Sequence, residues 1–335
     1  MPAANNPFTP NRPIFAGAFA GRAKEIIRIN TVFAETKSGN PRNLLIIGER
    51  GIGKSSLLLL ARYLACGAFD WNGEEYDFLS VYLALDVRKT IAHLSKNINS
   101  LLERELKSLN ATSQYLKEIW EFIQRIEVAG TKIAPVYKDI SEQEVFDKFI
   151  FSLVDTANSI TDPEIAVSKY GFKKPKDGLV ILIDEADKAS PELDLGTVLK
   201  QITESLVAED CNRVVFILSG LPDIRRVLSD SHPSSLRLFE ELELFPLSES
   251  EVHSVVQKAL AEANSKNTTP VRIENSALNL IYAFSEGYPH FVQQFGYSSY
   301  AYDKDFVIDE NDVRKSAFMD GGAFDLIGDR YYKDL

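Results

Sequence analysis

The chain has 335 residues, 45% hydrophobic and 25% charged, an ordinary globular composition with length enough for two domains. A formal net charge of −11 argues against whole-surface attraction to nucleic acid and leaves room only for a local basic patch. Cys66 and Cys211 lack C-x-x-C spacing, the four histidines are scattered, and there is neither a basic-then-apolar leader nor an apolar run near ~18 residues, so a cytoplasmic protein without disulfides, zinc or membrane contact is expected.

In chain order, residues 1–13 hold Pro2, Pro7, Pro10 and Pro13 and read as an extended strap or tail. Ile26, Ile27, Ile29, Val32 and Phe33 follow at mostly helical spacing. The stretch from Leu44 to Leu57 then reads as a buried strand, a glycine loop and an apolar helix. Gly48, Gly53, Lys54 and Ser55 satisfy G-x-x-x-x-G-K-[ST], with Gly51 as a further glycine, which is a phosphate-binding loop. Gly48, Glu49, Arg50, Gly51, Ile52, Gly53, Lys54, Ser55 and Ser56 are its expected cradle. Lys54 supplies a point charge near the β- and γ-phosphates, and Ser55 offers a hydroxyl to Mg²⁺ at a helix N-terminus.

Four more strands are expected, at Asp77–Asp86, Leu179–Ile183, Val214–Leu218 and Leu242–Leu247, with helical patterns at Ser190–Ala208 and Leu221–Leu228. Strands alternating with helices imply an α/β fold, a five-stranded parallel sheet covered by helices on both faces. About ninety residues separate the second strand from the third, far more than the ~10–12 of one crossover, so a helical insertion is expected at about 87–140. One insertion helix carries Ile91, Leu94, Ile98, Leu101, Leu102 and Leu106; another carries Leu116, Ile119, Trp120, Ile123 and Ile126. These two either cover the sheet edge or serve recognition. A third helix opens with the capping box Ser141-x-x-Glu144, and Lys173, Lys174 and Lys176 form a small basic loop.

From Ser248 strands give way to helices at Glu249–Ala263, Asn275–Phe284, His290–Tyr302 and Glu310–Phe318, the first opened by the capping box Ser248-x-x-Glu251. The expected division is a sheet domain over 14–247, a small all-helical lid over 248–319, and a segment over 320–335 that begins a further domain or docks on a partner.

Asp184 and Glu185 end a buried strand where open α/β sheets place their ligands, and two carboxylates there point to hydrolysis. Asp184 is read as orienting Mg²⁺ together with Ser55, and Glu185 as orienting the attacking water. Ser219 ends the next strand, where it would feel the γ-phosphate or serve only the turn before Gly220. Arg237, the choice over Arg225 and Arg226, would reach a neighbouring subunit's nucleotide as a finger, or else pair with Glu240 or Glu241.

These motifs resemble the AAA+ and STAND P-loop ATPases, in the branch similar to archaeal and bacterial origin-recognition-like ATPases. Phe19-Ala20-Gly21-Arg22-x-x-Glu25 looks like the family's F-x-G-R-x-x-E box, implying that Phe19 and Arg22 line the adenine side. Gly48–Ser55 matches Walker A, Ile181–Glu185 Walker B, and Ser219–Pro222 resembles the sensor-1 turn. Ser234–Phe239 and Glu243–Ser248 are similar to the arginine-finger segment and the lid entry. Where many members carry a G-D-x-R arginine, Gly287-Tyr288-Pro289-His290 stands instead, similar to the STAND G-x-P motif. That implies Pro289 packing on nucleotide, with any lid charge coming from His290, and hence a slow ATP/ADP switch using Mg²⁺. The resemblance implies a homo-oligomer when ATP-bound, with a protein effector; a DNA-associated ATPase similar to initiators or transposition regulators, and a scaffold that holds ATP without hydrolysis, are the rivals.

Overall fold

Runs of consecutive aliphatic residues need cover on both faces, and three of them form the middle of one sheet. The computed structural model describes residues 6–13, 20–70, 72–86, 90–109, 142–168 and 170–331. β1 (Asn43–Ile47), β3 (Leu179–Asp184) and β4 (Val214–Gly220) are buried almost throughout. With β2 (Leu79–Ala84) and β5 (Phe239–Glu243) they make a five-stranded parallel sheet in the order β2-β3-β4-β1-β5. The register sets Ile46 opposite Ser219, Ile183 opposite Leu218 and Ala84 opposite Asp184, so the carboxyl ends of the strands align.

The fifth strand lies earlier than the Leu242–Leu247 expected from its leucines. β5 exposes alternate residues, as an edge strand does, and its carboxylates are held by arginines: Arg28 donates to both oxygens of Glu240, and Arg225 donates to Glu241 at 2.8 and 3.0 Å. Leu244 and Leu247 are buried beyond the strand's end, while Phe245 between them is 63% exposed.

By its own contacts the chain divides into two compact units, Ile27–Ile47 with Ala61–Glu243, and Met1–Ile26 with Gly48–Leu60 and Leu244–Leu335. In the first, the sheet is the core. α1 (Ala23–Lys37) brings Phe33 onto Tyr76 and Phe78, and α2 (Lys54–Ala65) follows the glycine loop. α3 (Ile91–Ser108) is capped by the Thr90 side chain and buries Leu94, Ile98, Leu102 and Leu106, the stripe expected of the first insertion helix. It packs with Phe146, Phe149 and Leu153 of α4 (Glu142–Thr161) in the sheet core, so this helix covers the sheet. The second insertion helix and the capping residue Ser141 lie outside the described residues. α5 (Pro163–Ser168) leads to the lysine loop, where Lys176 donates to Asp77 at 2.6 Å and Lys174 lies 3.7 Å from the same carboxylate. α6 (Leu195–Ala208) and α7 (Ile224–Ser231) start later than their patterns, because short turns at Ala186–Lys188 and Pro191–Leu193, and Pro222, come first.

The second unit holds the lid: α8 (Glu249–Asn264), α9 (Asn275–Ser285), α10 (Pro289–Tyr302), α11 (Glu310–Phe318) and α12 (Ala323–Tyr331). The Ser248–Glu251 capping box is formed in both directions. A two-residue parallel ladder, β6 (Arg272–Ile273) with β7 (Val307–Ile308), adds strand to a region expected to be wholly helical. Ala323 and Ile327 join the lid core, so α12 packs as part of it. The strap is also part of it. Phe8, 2% exposed, sits edge-on to Tyr300 and against Gly296, while the Thr9 N–H donates to Gln293 and the Asn6 amide donates to the Tyr297 carbonyl.

Candidate nucleotide site

The glycine loop leaves the carboxyl end of β1 under steric constraint. A Cβ on Gly48 would lie 2.8 Å from Ile52 Cγ2 and 3.2 Å from Leu244 Cβ. Gly51 (φ 81°) and Gly53 (φ 99°) take left-handed conformations that side chains resist. Lys54 opens α2 and turns its ammonium inward, donating to the Gly48 and Glu49 carbonyls at 2.8 Å each. Ser55 and Ser56 follow in the first helical turn. A backbone bent by glycines, an ammonium held inside the bend and a helix N-terminus behind it suit a polyphosphate.

What holds this loop comes from both ends of its unit. Arg22, itself at φ 61°, is 6% exposed; one guanidinium arm lies 3.2 Å from Glu25 and the other donates to the Ile52 carbonyl at 3.0 Å. Its backbone N–H donates to Glu251, which also accepts from the Ser248 N–H. Burial alone would raise the Glu251 carboxyl, but these N–H groups hold it below the usual range. From the lid, the Tyr288 hydroxyl donates to Glu49, the His290 N–H donates to the Gly51 carbonyl at 3.2 Å, and Pro289 lies 3.6 Å from where a Gly53 Cβ would be. Arg22, Pro289 and His290, read from sequence as nucleotide-lining, are thus set against the loop backbone. Phe19 lies outside the described residues.

The carboxylates belong to the sheet unit. Asp184 is 4% exposed and accepts three donors: the Ser219 hydroxyl, the Glu185 N–H at 2.9 Å and the Tyr82 hydroxyl at 2.7 Å. Ser219, read from sequence as feeling phosphate or water or serving only the turn, directs its hydroxyl onto Asp184. Glu185 takes a left-handed conformation (φ 54°) that turns its side chain out to solvent, 2.8 Å from Lys188. Asp187 accepts from the Leu221 N–H and so fixes the turn after β4.

Arg237 is exposed in the turn Ser235–Leu238 and makes no ion pair with a described residue. Both carboxylates that could have claimed it are engaged, Glu240 by Arg28 and Glu241 by Arg225. Arg225 also lies 3.5 Å from Glu243, and Arg226 pairs with Asp223 and Asp230.

Sequence reasoning missed Tyr82, Tyr288 and the second role of Glu251. A polar tyrosine at a β2 position facing the Asp184 strand was the available signal for the first; adjacency to Pro289 was the signal for the second.

Residues 18–217 match the AAA ATPase domain family. The chain belongs to that family. The ATPase domain is also 24% identical over 267 residues to an uncharacterized HTH-type transcriptional regulator of Methanocaldococcus jannaschii; the match takes in 77% of this chain and spans 58% of that relative's length. Its fold is similar to the Aeropyrum pernix ORC1 protein in complex with DNA (TM-score 0.51, 16% identity, 92% of this chain and 66% of that one). It is similar also to the Aeropyrum pernix ORC2 protein in ADPNP–ADP complexes (TM-score 0.53, 14% identity, 94% and 71%). At such identities the likeness shows the fold alone, an AAA+ sheet followed by a helical lid. ATP or ADP with Mg²⁺ are the general ligands of the family. Among the described residues no helix is long and apolar enough to cross a membrane.

Proposed function

We propose that this ATPase domain is a cytoplasmic switch that binds ATP, hydrolyses it slowly, and passes its nucleotide state through the lid to self-assembly or partner binding. One observation carries the reading: α10 of the lid touches the phosphate loop directly, through His290 N–H on Gly51, Tyr288 on Glu49 and Pro289 beside Gly53. Phosphates entering the loop must compete with the Gly48 and Glu49 carbonyls for the Lys54 ammonium, within a loop that also contacts the lid. Lid and loop are therefore coupled through one backbone bond and the Tyr288 and Pro289 side chains, and the G-x-P motif in place of a lid arginine supports slow turnover.

Ser55 and Asp184 are the residues that would hold Mg²⁺, which when bound neutralises charge developing on the transferred phosphoryl group. Glu185, solvent-facing and next to Asp184 in sequence, orients water and takes its proton. Arg237 serves a neighbouring subunit in a homo-oligomer. The test compares three proteins. The parent hydrolyses ATP, Glu185→Gln binds ATP and loses turnover, and Lys54→Ala loses binding. Turnover by Glu185→Gln at the parent rate overturns the assignment of the base, and a parent that returns all of its ATP intact after prolonged incubation favours a non-hydrolysing scaffold.

A DNA-associated role is the second reading, supported by the names of the relatives above. The lysine loop gives it limited help, because Lys176 and Lys174 share the Asp77 carboxylate. Filter binding over a salt series decides, since phosphate contacts weaken as salt rises.

A further inference from the structure

Asp184, 4% exposed, accepts from three donors among the described residues, and one of them has no part in the reading above. A carboxylate offers about four acceptor positions. On Oδ1 two are taken, by the Ser219 hydroxyl and the Glu185 N–H; on Oδ2 one is taken, by the Tyr82 hydroxyl at 2.7 Å. Among the described residues, one position on Oδ2 is left. The placement of Tyr82 follows from the sheet: Ala84 stands opposite Asp184 in the β2–β3 register, and Tyr82, two residues earlier, points to the same face. A diagonal neighbour on one face is within reach of a tyrosine ring.

We propose that Tyr82 is a positioning residue for nucleotide-linked metal binding, fixing the orientation in which the Asp184 carboxylate would meet a hydrated divalent cation. The proposal rests on the reading of Asp184 as the metal-orienting carboxylate. With Ser219 and Glu185 N–H fixing only Oδ1, the carboxylate would still pivot about that oxygen; the bond from Tyr82 removes this freedom. The Tyr82 phenol is an O–H donor, and Asp184 Oδ2 is its acceptor at 2.7 Å. Partners that orient a metal-binding carboxylate typically change metal affinity about 10- to 100-fold when removed, without touching the metal.

The experiment measures binding of a fluorescent ADP to the full chain at equilibrium, in EDTA and over a Mg²⁺ titration, for the parent, Tyr82→Phe and Asp184→Asn. Tyr82→Phe keeps the ring in place. It is expected to bind ADP like the parent in EDTA and to need about 10-fold more Mg²⁺ for the same tightening, with Asp184→Asn shifted further. A Tyr82→Phe titration that overlays the parent while Asp184→Asn is displaced overturns the role of Tyr82 and leaves Asp184 standing. Equal weakening of Tyr82→Phe in EDTA and in Mg²⁺, accompanied by a lower melting temperature, assigns Tyr82 to packing and also overturns the proposal. An Asp184→Asn titration identical to the parent overturns the underlying reading itself.

Discussion

Replacing Arg22 by alanine isolates the contribution of one side chain to the phosphate loop. The backbone N–H of residue 22 still donates to Glu251, and alanine and arginine tolerate the left-handed φ of 61° equally poorly, so the variant loses side-chain bonds without gaining strain. Lost are the contact with Glu25 at 3.2 Å and the bond to the Ile52 carbonyl at 3.0 Å, and only the second bears on the loop. A hydrogen bond from a charged donor contributes about 1.5–3 kcal/mol, and ~1.4 kcal/mol is a factor of ten in affinity. If the loop must be held in this shape to take phosphates, nucleotide affinity falls about 10- to 100-fold. Arg22→Lys recovers little, because an ammonium lacks the fork that serves Glu25 and Ile52 together. Equilibrium dialysis with ATP, ADP and inorganic tripolyphosphate separates loop from base. A side chain that holds the loop weakens all three alike. Loss confined to ATP and ADP would mean that Arg22 serves the adenine side, as the sequence motif alone implies, and affinities within twofold of the parent for every ligand would refute the reasoning altogether.

The loop and the two strand-end carboxylates were legible because their chemistry is local. Glycines at fixed offsets and a carboxylate closing a five-residue aliphatic run are dictated by backbone geometry and burial, which a linear sequence carries. β5 was misplaced because an edge strand has no such signature. Its Phe239-Glu240-Glu241-Leu242-Glu243 is stabilised by Arg28 and Arg225, distant in sequence, whereas the leucines that mimic a strand, Leu244 and Leu247, are buried on other partners. Ser219 was placed at the right strand end, but its partner there, Asp184, was not foreseen. Which way a hydroxyl turns depends on register, and the pairing of β3 with β4 is what sets it beside Asp184. The grouping of the phosphate loop with the lid was beyond a linear reading, since it rests on Tyr288 and His290 meeting residues more than two hundred positions earlier.

Two predictions remain. Gly296 lies inside α10, where alanine ordinarily stabilises a helix by ~1 kcal/mol, yet a Cβ there would come within 2.6 Å of two ring carbons of Phe8. Gly296→Ala should therefore lower the melting temperature of the parent and raise that of Phe8→Ala; a rise in both backgrounds would show that the strap does not seat on α10 in solution. The other concerns Arg237, exposed and without an ion pair to a described residue while Arg28 and Arg225 occupy Glu240 and Glu241. A charge left unneutralised beside an acidic edge strand has no stabilising task of its own, so Arg237→Ala should leave the melting temperature and ATP affinity nearly unchanged. If the guanidinium instead completes a neighbour's site, hydrolysis per subunit rises with protein concentration in the parent, and Arg237→Ala abolishes that rise. Mixing sharpens the test. Subunits with Glu185→Gln lack the base and keep the finger, those with Arg237→Ala lack the finger and keep the base, and mixed assemblies should regain part of the lost activity. Sedimentation must show that the two variants co-assemble; a co-assembled mixture as inactive as either alone would remove Arg237 from catalysis.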